Sequence, residues 1–187
     1  MIHALRRCLA APSTLAQLEA LAAGAPASAP VSLQLKLGRS DTDCLHLLPA
    51  NTPYWYRARA DLQEYRLAIG HALHLSSAGP NRLVALESAF TGFCRNWRRN
   101  GPAFAFAGFA FDAGNNAPLP NALLAIPAIL VESIAGECSV TLSAPAGRLA
   151  QAAAEWPVFL ATPAIASAPA LRPGRPDAVT PQGTLGD

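Results

Sequence analysis

Residues 122–142 read ALLAIPAILV (Ala122–Val131), Glu132, SIAGE (Ser133–Glu137) and CSVTL (Cys138–Leu142). The first run is continuously apolar and the last alternates, while the residues between them hold Gly136 and can reverse the chain. Two strands joined by so short a connection are antiparallel, because a parallel pair needs a crossover, usually a helix, between them. Pro127 lacks the amide donor that a central ladder requires, so an edge position or a bulge is expected there.

Upstream, AFAFAGFAF (Ala103–Phe111) places Phe104 and Phe106 on one face and Phe109 and Phe111 on the other. A bulge at Ala107-Gly108 would return all four rings to one side. Asp112 to Pro120 is a polar loop. Before this segment, Leu83, Leu86, Phe90, Phe93 and Trp97 recur every three or four residues, predicting a helix from about Asn81 to Trp97 with its aromatic face inward. Pro80 suits its start, and Asn100-Gly101 offers its stop. Leu67, Ile69, His71, Leu73 and Leu75 alternate as a strand, as do Val31, Leu33, Leu35 and Leu37. Cys44–Leu48 reads as a further strand, and Tyr54-Trp55-Tyr56 supplies aromatic strand formers.

These elements define an α+β fold, mostly antiparallel sheet with one long packed helix. Residues 1–30 are expected to form an amino-terminal helix and linker, and residues 31–143 the domain proper. Residues 144–187 read as a weak alanine-rich helix followed by a mobile proline- and alanine-rich tail. Arg6 and Arg7 ahead of an alanine-rich stretch loosely imitate a signal peptide, but Gln17 and Glu19 interrupt it, and Leu15, Leu18 and Leu21 suit an amphipathic helix.

A formal charge of +2 over 187 residues, with dispersed arginines, excludes the basic footprint of nucleic-acid binding. Arg95, Arg98 and Arg99 are placed in the last turn of the helix, where the macrodipole favours cations; a phosphate site is the alternative. No apolar run free of proline and charge is long enough to span a membrane. Cys8, Cys44, Cys94 and Cys138 lack zinc spacing and disulfide density and read as reduced thiols of a cytoplasmic protein.

The catalytic inventory is thin. His71 and His74 fall on opposite faces of a strand, against a shared metal, although helical spacing would permit a zinc pair. Lys36, the chain's single lysine, sits on the polar face of a strand as a solvated group rather than a desolvated base. Asp41, Asp43 and Asp112 suit turns better than catalysis. Glu64, Glu87 and Glu132 are isolated and meet only through folding.

The order of short motifs carries more. Pro53 with Tyr54-Trp55-Tyr56, Ala68-Ile69-Gly70-His71-Ala72, Gly79-Pro80-Asn81-Arg82-Leu83, Phe106-Ala107-Gly108-Phe109-Ala110-Phe111-Asp112, Leu119-Pro120-Asn121-Ala122 and Ile126-Pro127 to Glu132 follow one another. In that order they resemble the amino-terminal region of the isochorismate synthases, chorismate-utilising enzymes related to anthranilate synthase component I. The family pattern has glycines where Ala68 and Ala107 stand. The resemblance implies the amino-terminal half of a two-part, magnesium-dependent isomerase that converts chorismate to isochorismate for menaquinone or siderophore biosynthesis. It places the water-activating lysine, the general acid and the magnesium glutamates in the carboxy-terminal half. No catalytic, cofactor-binding or metal-ligating residue is therefore assigned in this chain, and no cofactor is expected in it. A separate carboxy-terminal chorismate-binding half is the implied partner, with self-association expected in its absence. Alternatives are a non-catalytic binding or structural domain that kept the fold, and an unrelated enzyme whose acids converge only in space.

Overall fold

A computed structural model of the chain describes residues 1–39, 44, 47–49, 52–110 and 121–160. The elements are α1 (Ile2–Ala10), α2 (Pro12–Ala22), β1 (Pro30–Arg39), β2 (Tyr54–Arg59), β3 (Glu64–Ser77), α3 (Arg82–Asn96), β4 (Arg98–Arg99), β5 (Phe106–Phe109), β6 (Ala122–Ile134), β7 (Glu137–Pro145) and α4 (Leu149–Phe159). The strands make one seven-stranded sheet in the order β2-β3-β6-β7-β1-β4, with β5 also paired to β6. The fold is α+β, as the hairpin and the alternating strands imply.

The β6–β7 hairpin closes through Ala135 and Gly136, both with positive φ (50° and 80°). A two-residue turn of that handedness matches the right-handed twist of the flanking strands, and glycine adopts it freely. Ala135 adopts it with its amide donating to the Gln63 carbonyl at 3.1 Å.

β6 is a central strand, not an edge. Pro127 is nevertheless accommodated, for two reasons that pairing makes plain. It faces His71 of β3 where the register slips between His71 and Leu73. On its other side it lies between the residues of β6 that pair with β5 (Ala122–Ala125) and those that pair with β7 (Ile129–Ile134). The missing amide falls where neither neighbour asks for it.

The bulge expected at Ala107-Gly108 is absent. Phe106 to Phe109 pair regularly with Ala125 to Ala122, so Phe106 is half-buried while Phe109 is 59% exposed. With β5 only four residues long and paired on one side, no second ladder forces its rings onto one face. Phe111 lies outside the described residues.

The helix expected from Asn81 to Trp97 forms as α3, with Asn81 and Trp97 as its caps. Its inward face is narrower than the aromatic pattern implies. Leu86 is buried with Ala122 and Leu124 and meets half-buried Phe90, whereas Leu83 is 50% exposed. Only Arg95 lies in the last turn. Arg98 and Arg99 leave the helix and pair in parallel with Val31 and Ser32 of β1. Asn100 extends that pairing: its Oδ1 accepts from the Gln34 amide at 2.7 Å and its Nδ2 donates to the Gln34 carbonyl at 3.1 Å. The carboxamide imitates one more peptide unit, so Asn100 completes a strand rather than stopping a helix.

Cys44–Leu48 does not form the expected strand at its described positions. Cys44 and Leu47 are both buried and plug the core, with the Leu47 amide donating to the Cys44 carbonyl at 3.0 Å instead of to a neighbouring strand. That core gathers Leu5, Leu18, Leu149 and Trp156 from the helices around Val31, Leu33, Ile129, Val131, Val140 and Leu142 of the sheet. Burial of Leu5 and Leu18 anchors both amino-terminal helices. The expected mobile tail falls on residues 161–187, outside those described. No described helix is long and apolar enough to cross a membrane.

Candidate functional site

The register of β3, β6 and β5 builds an aromatic shelf on the sheet. Ala125 of β6 is paired on one side with His74 and on the other with Phe106, so the two rings flank a methyl group. The small side chain leaves room for them to extend over the strand. The slip between His71 and Leu73 inserts one extra residue into β3 and undoes the alternation that separates His71 from His74 in an ideal strand. Their ring centroids are 5.6 Å apart, which corrects the expectation of opposite faces.

His71 is 5.8 Å from Phe106, and Phe106 stacks on Trp55 of β2 at 6.1 Å with an interplanar angle of 3°. Phe104, just before β5, meets Trp55 at 6.0 Å. Three segments distant in sequence thus supply one cluster, Trp55, His71, His74, Phe104 and Phe106. Gly70, immediately before the first imidazole, has φ +61° and a Cβ there would meet the Phe159 ring at 3.0 Å, so backbone and space both require glycine. Partial burial, and secondarily the neighbouring His74, hold the His71 imidazole below its usual range. It is therefore neutral at pH 7 and able to accept a hydrogen bond.

The other residues singled out in sequence are dispersed. Lys36 is exposed on β1, and Glu87 is exposed on α3. Glu64 and Glu132 do meet, through Arg66: its Nη1 lies 2.6 Å from Glu64 Oε1 and its Nε donates to Glu132 Oε1 at 2.9 Å. Arg59 adds a longer contact to Glu64 at 3.5 Å. Both carboxylates are largely covered and committed to guanidinium groups, an arrangement suited to fixing β3 against β6 and not to proton transfer. Asp41, Asp43 and Asp112 lie outside the described residues. Of the four cysteines, Cys44 and Cys138 are buried, Cys8 is half-buried and Cys94 is exposed.

Magnesium asks for several hard oxygen donors in near-octahedral array. The carboxylates described do not present one. Besides Glu64 and Glu132, Glu137 pairs with Arg39 and Glu155 accepts from Gln151. Among the described residues no three of His, Cys, Asp and Glu converge, and the two imidazoles of the shelf supply only two nitrogen donors. What the shelf offers chemically is a flat apolar surface with imidazole nitrogens at its border. Sequence reading missed it because its members look like unrelated strand residues; the pairing of His-Ala-Leu-His with a strand containing Pro127 is the signal that foreshadows the bulge.

No protein-family model and no curated protein matches the chain. Among solved structures, its fold is similar to that of MenF, the menaquinone-specific isochorismate synthase from Escherichia coli, with a TM-score of 0.55 and 15% sequence identity. The likeness covers 84% of this chain and 34% of that one, so the chain spans about a third of that protein's length. At such identity the likeness is one of fold.

Proposed function

We propose that this chain is the amino-terminal part of an isochorismate synthase-like enzyme and that a separate carboxy-terminal chorismate-binding half completes it. The observation that supports this most is that the fold similar to part of MenF is the fold that the ordered motifs from Pro53 to Glu132 independently imply. On this reading the chain has a supporting role. Among the described residues no base, acid and metal clamp stand together, and adding water to the chorismate ring while expelling hydroxide needs all three. Tyr54, Phe109 and Ile134 are strand residues 43–59% exposed, apolar surface of the kind a second half would cover and through which the isolated chain would self-associate.

The test is chromatographic detection of isochorismate from chorismate with magnesium, first with the chain alone and then with a separately expressed carboxy-terminal half. The expected result is no turnover alone and turnover in the mixture. Turnover by the chain alone overturns the division of roles, and an inert mixture whose two parts do not associate overturns the partnership.

A further inference from the structure

The sequence holds a single Asn-Gly pair, Asn100-Gly101, and the fold sets it at the rim of the sheet, directly after the short edge strand β4. Packing demands the glycine. A Cβ at residue 101 would meet the Gln34 side chain at 2.7 Å (Oε1) and 2.9 Å (Cβ). The close approach that excludes a side chain there also leaves the Gly101 amide nitrogen unshielded, which is what makes an Asn-Gly pair prone to deamidation.

Deamidation is an intramolecular displacement. The Gly101 amide nitrogen gives up its proton and bonds to the side-chain carbonyl carbon of Asn100, and the carboxamide nitrogen leaves as ammonia, carrying a proton with it. Water then opens the resulting succinimide at either carbonyl, giving aspartate, or isoaspartate whose main chain runs through the side-chain carbon. Water is the sole co-reactant.

The clamp on β1 opposes the first step. Attack requires the carboxamide to turn its carbon towards Gly101, whereas its oxygen is held by the Gln34 amide at 2.7 Å and its nitrogen by the Gln34 carbonyl at 3.1 Å. Two hydrogen bonds of ordinary net strength keep it closed by a factor of about ten. Asn100 is itself exposed, so water reaches it whenever the edge opens.

We infer that Asn100 is a latent deamidation site, held unreactive by its own clamp on Gln34, and that its conversion unfastens the β4 edge irreversibly. The product carboxylate accepts from the Gln34 amide but has no hydrogen to donate to the Gln34 carbonyl, and it turns an anionic oxygen towards that carbonyl. The paired geometry is then lost, and the formal charge of +2 falls by one.

The full chain is incubated at mildly alkaline pH, native and in denaturing urea, and the peptide holding residue 100 is followed by mass spectrometry with isoaspartate detection. Conversion at Asn100 is expected to run at least tenfold faster in urea. Amide hydrogen exchange at Gln34 is expected to quicken at least threefold in Asn100→Asp, with circular dichroism retained. The unmodified chain, deamidated by ageing, supplies the same comparison if that variant disturbs the fold. Equal conversion rates in the two conditions, or none at Asn100 even in urea, overturn the inference. Unchanged exchange at Gln34 after the carboxamide is lost overturns the unfastening.

Discussion

Ser32→Ala should destabilise the protein several times more than Ser143→Ala, although the two hydroxyls face each other across the same strand pair. Ser32 Oγ lies 2.7 Å from Ser143 Oγ and also accepts from the Trp97 indole Nε1 at 2.8 Å. All three residues are buried, with exposures of 2%, 3% and 8%. Ser32 is therefore the hub. Replacing it removes two hydrogen bonds and strands two buried polar groups, Trp97 Nε1–H and the Ser143 hydroxyl. Each orphaned group costs about 1–3 kcal/mol, so the total is about 2–4 kcal/mol after some relaxation. Replacing Ser143 removes one bond and leaves the indole satisfied, a loss of about 1 kcal/mol. The double variant should cost little more than Ser32→Ala alone, because the shared bond is lost only once. Urea unfolding followed by circular dichroism, with equal m-values across the set, measures all three. Equal losses for the two single variants, or additive losses in the double, would refute a network centred on Ser32.

Arg66→Gln should cost about 1–3 kcal/mol, and more than Glu132→Gln, since it leaves Glu64 and Glu132 facing each other without their shared cation; urea midpoints decide the order. His71 titrates below its ordinary 6.5, so the unfolded chain binds the proton more readily and stability must fall as pH drops from about 6.5 through the lower folded value. His71→Asn should remove that part of the pH dependence, read from thermal midpoints between pH 5 and 8. Ala135→Asn should add about 0.5–1 kcal/mol, because asparagine tolerates the left-handed conformation that alanine holds at φ 50°; an unchanged or lower melting temperature would count against it.

What was legible in the sequence is what repeats locally. The alternation of Val31 to Leu37, the three- and four-residue spacing from Leu83 to Trp97 and the turn at Gly136 each announce an element whose cause lies within its own residues. The failures share the opposite character. Arg98 and Arg99 become strand only because β1 runs alongside and Asn100 clamps Gln34. Cys44 and Leu47 are apolar like a strand but plug a core built by residues far away. The bulge sits at Ala72 and not at Gly108, because its place is decided by what faces it, Pro127 with no amide to give, and not by which residue bends most easily. The shelf of Trp55, His71, His74, Phe104 and Phe106 inherits this: each ring is visible in the sequence, while their meeting depends on a register that only pairing sets.

The position of β1 in the sheet imposes a waiting time on biosynthesis. Its antiparallel partner, β7, lies 111 residues later at the Ser32–Ser143 pair, and its other neighbour, β4, contributes only two residues. At roughly 5–20 residues per second a ribosome needs about 5–20 s to deliver β7 after β1. Throughout that interval Val31, Leu33 and the amino-terminal helices that bury Leu5 and Leu18 have no completed sheet to close upon. Non-local pairing of this kind slows folding and exposes sticky surface while it lasts. The nascent chain therefore keeps an unpaired strand and uncovered apolar surface up to the moment the β6–β7 hairpin emerges and captures its first strand.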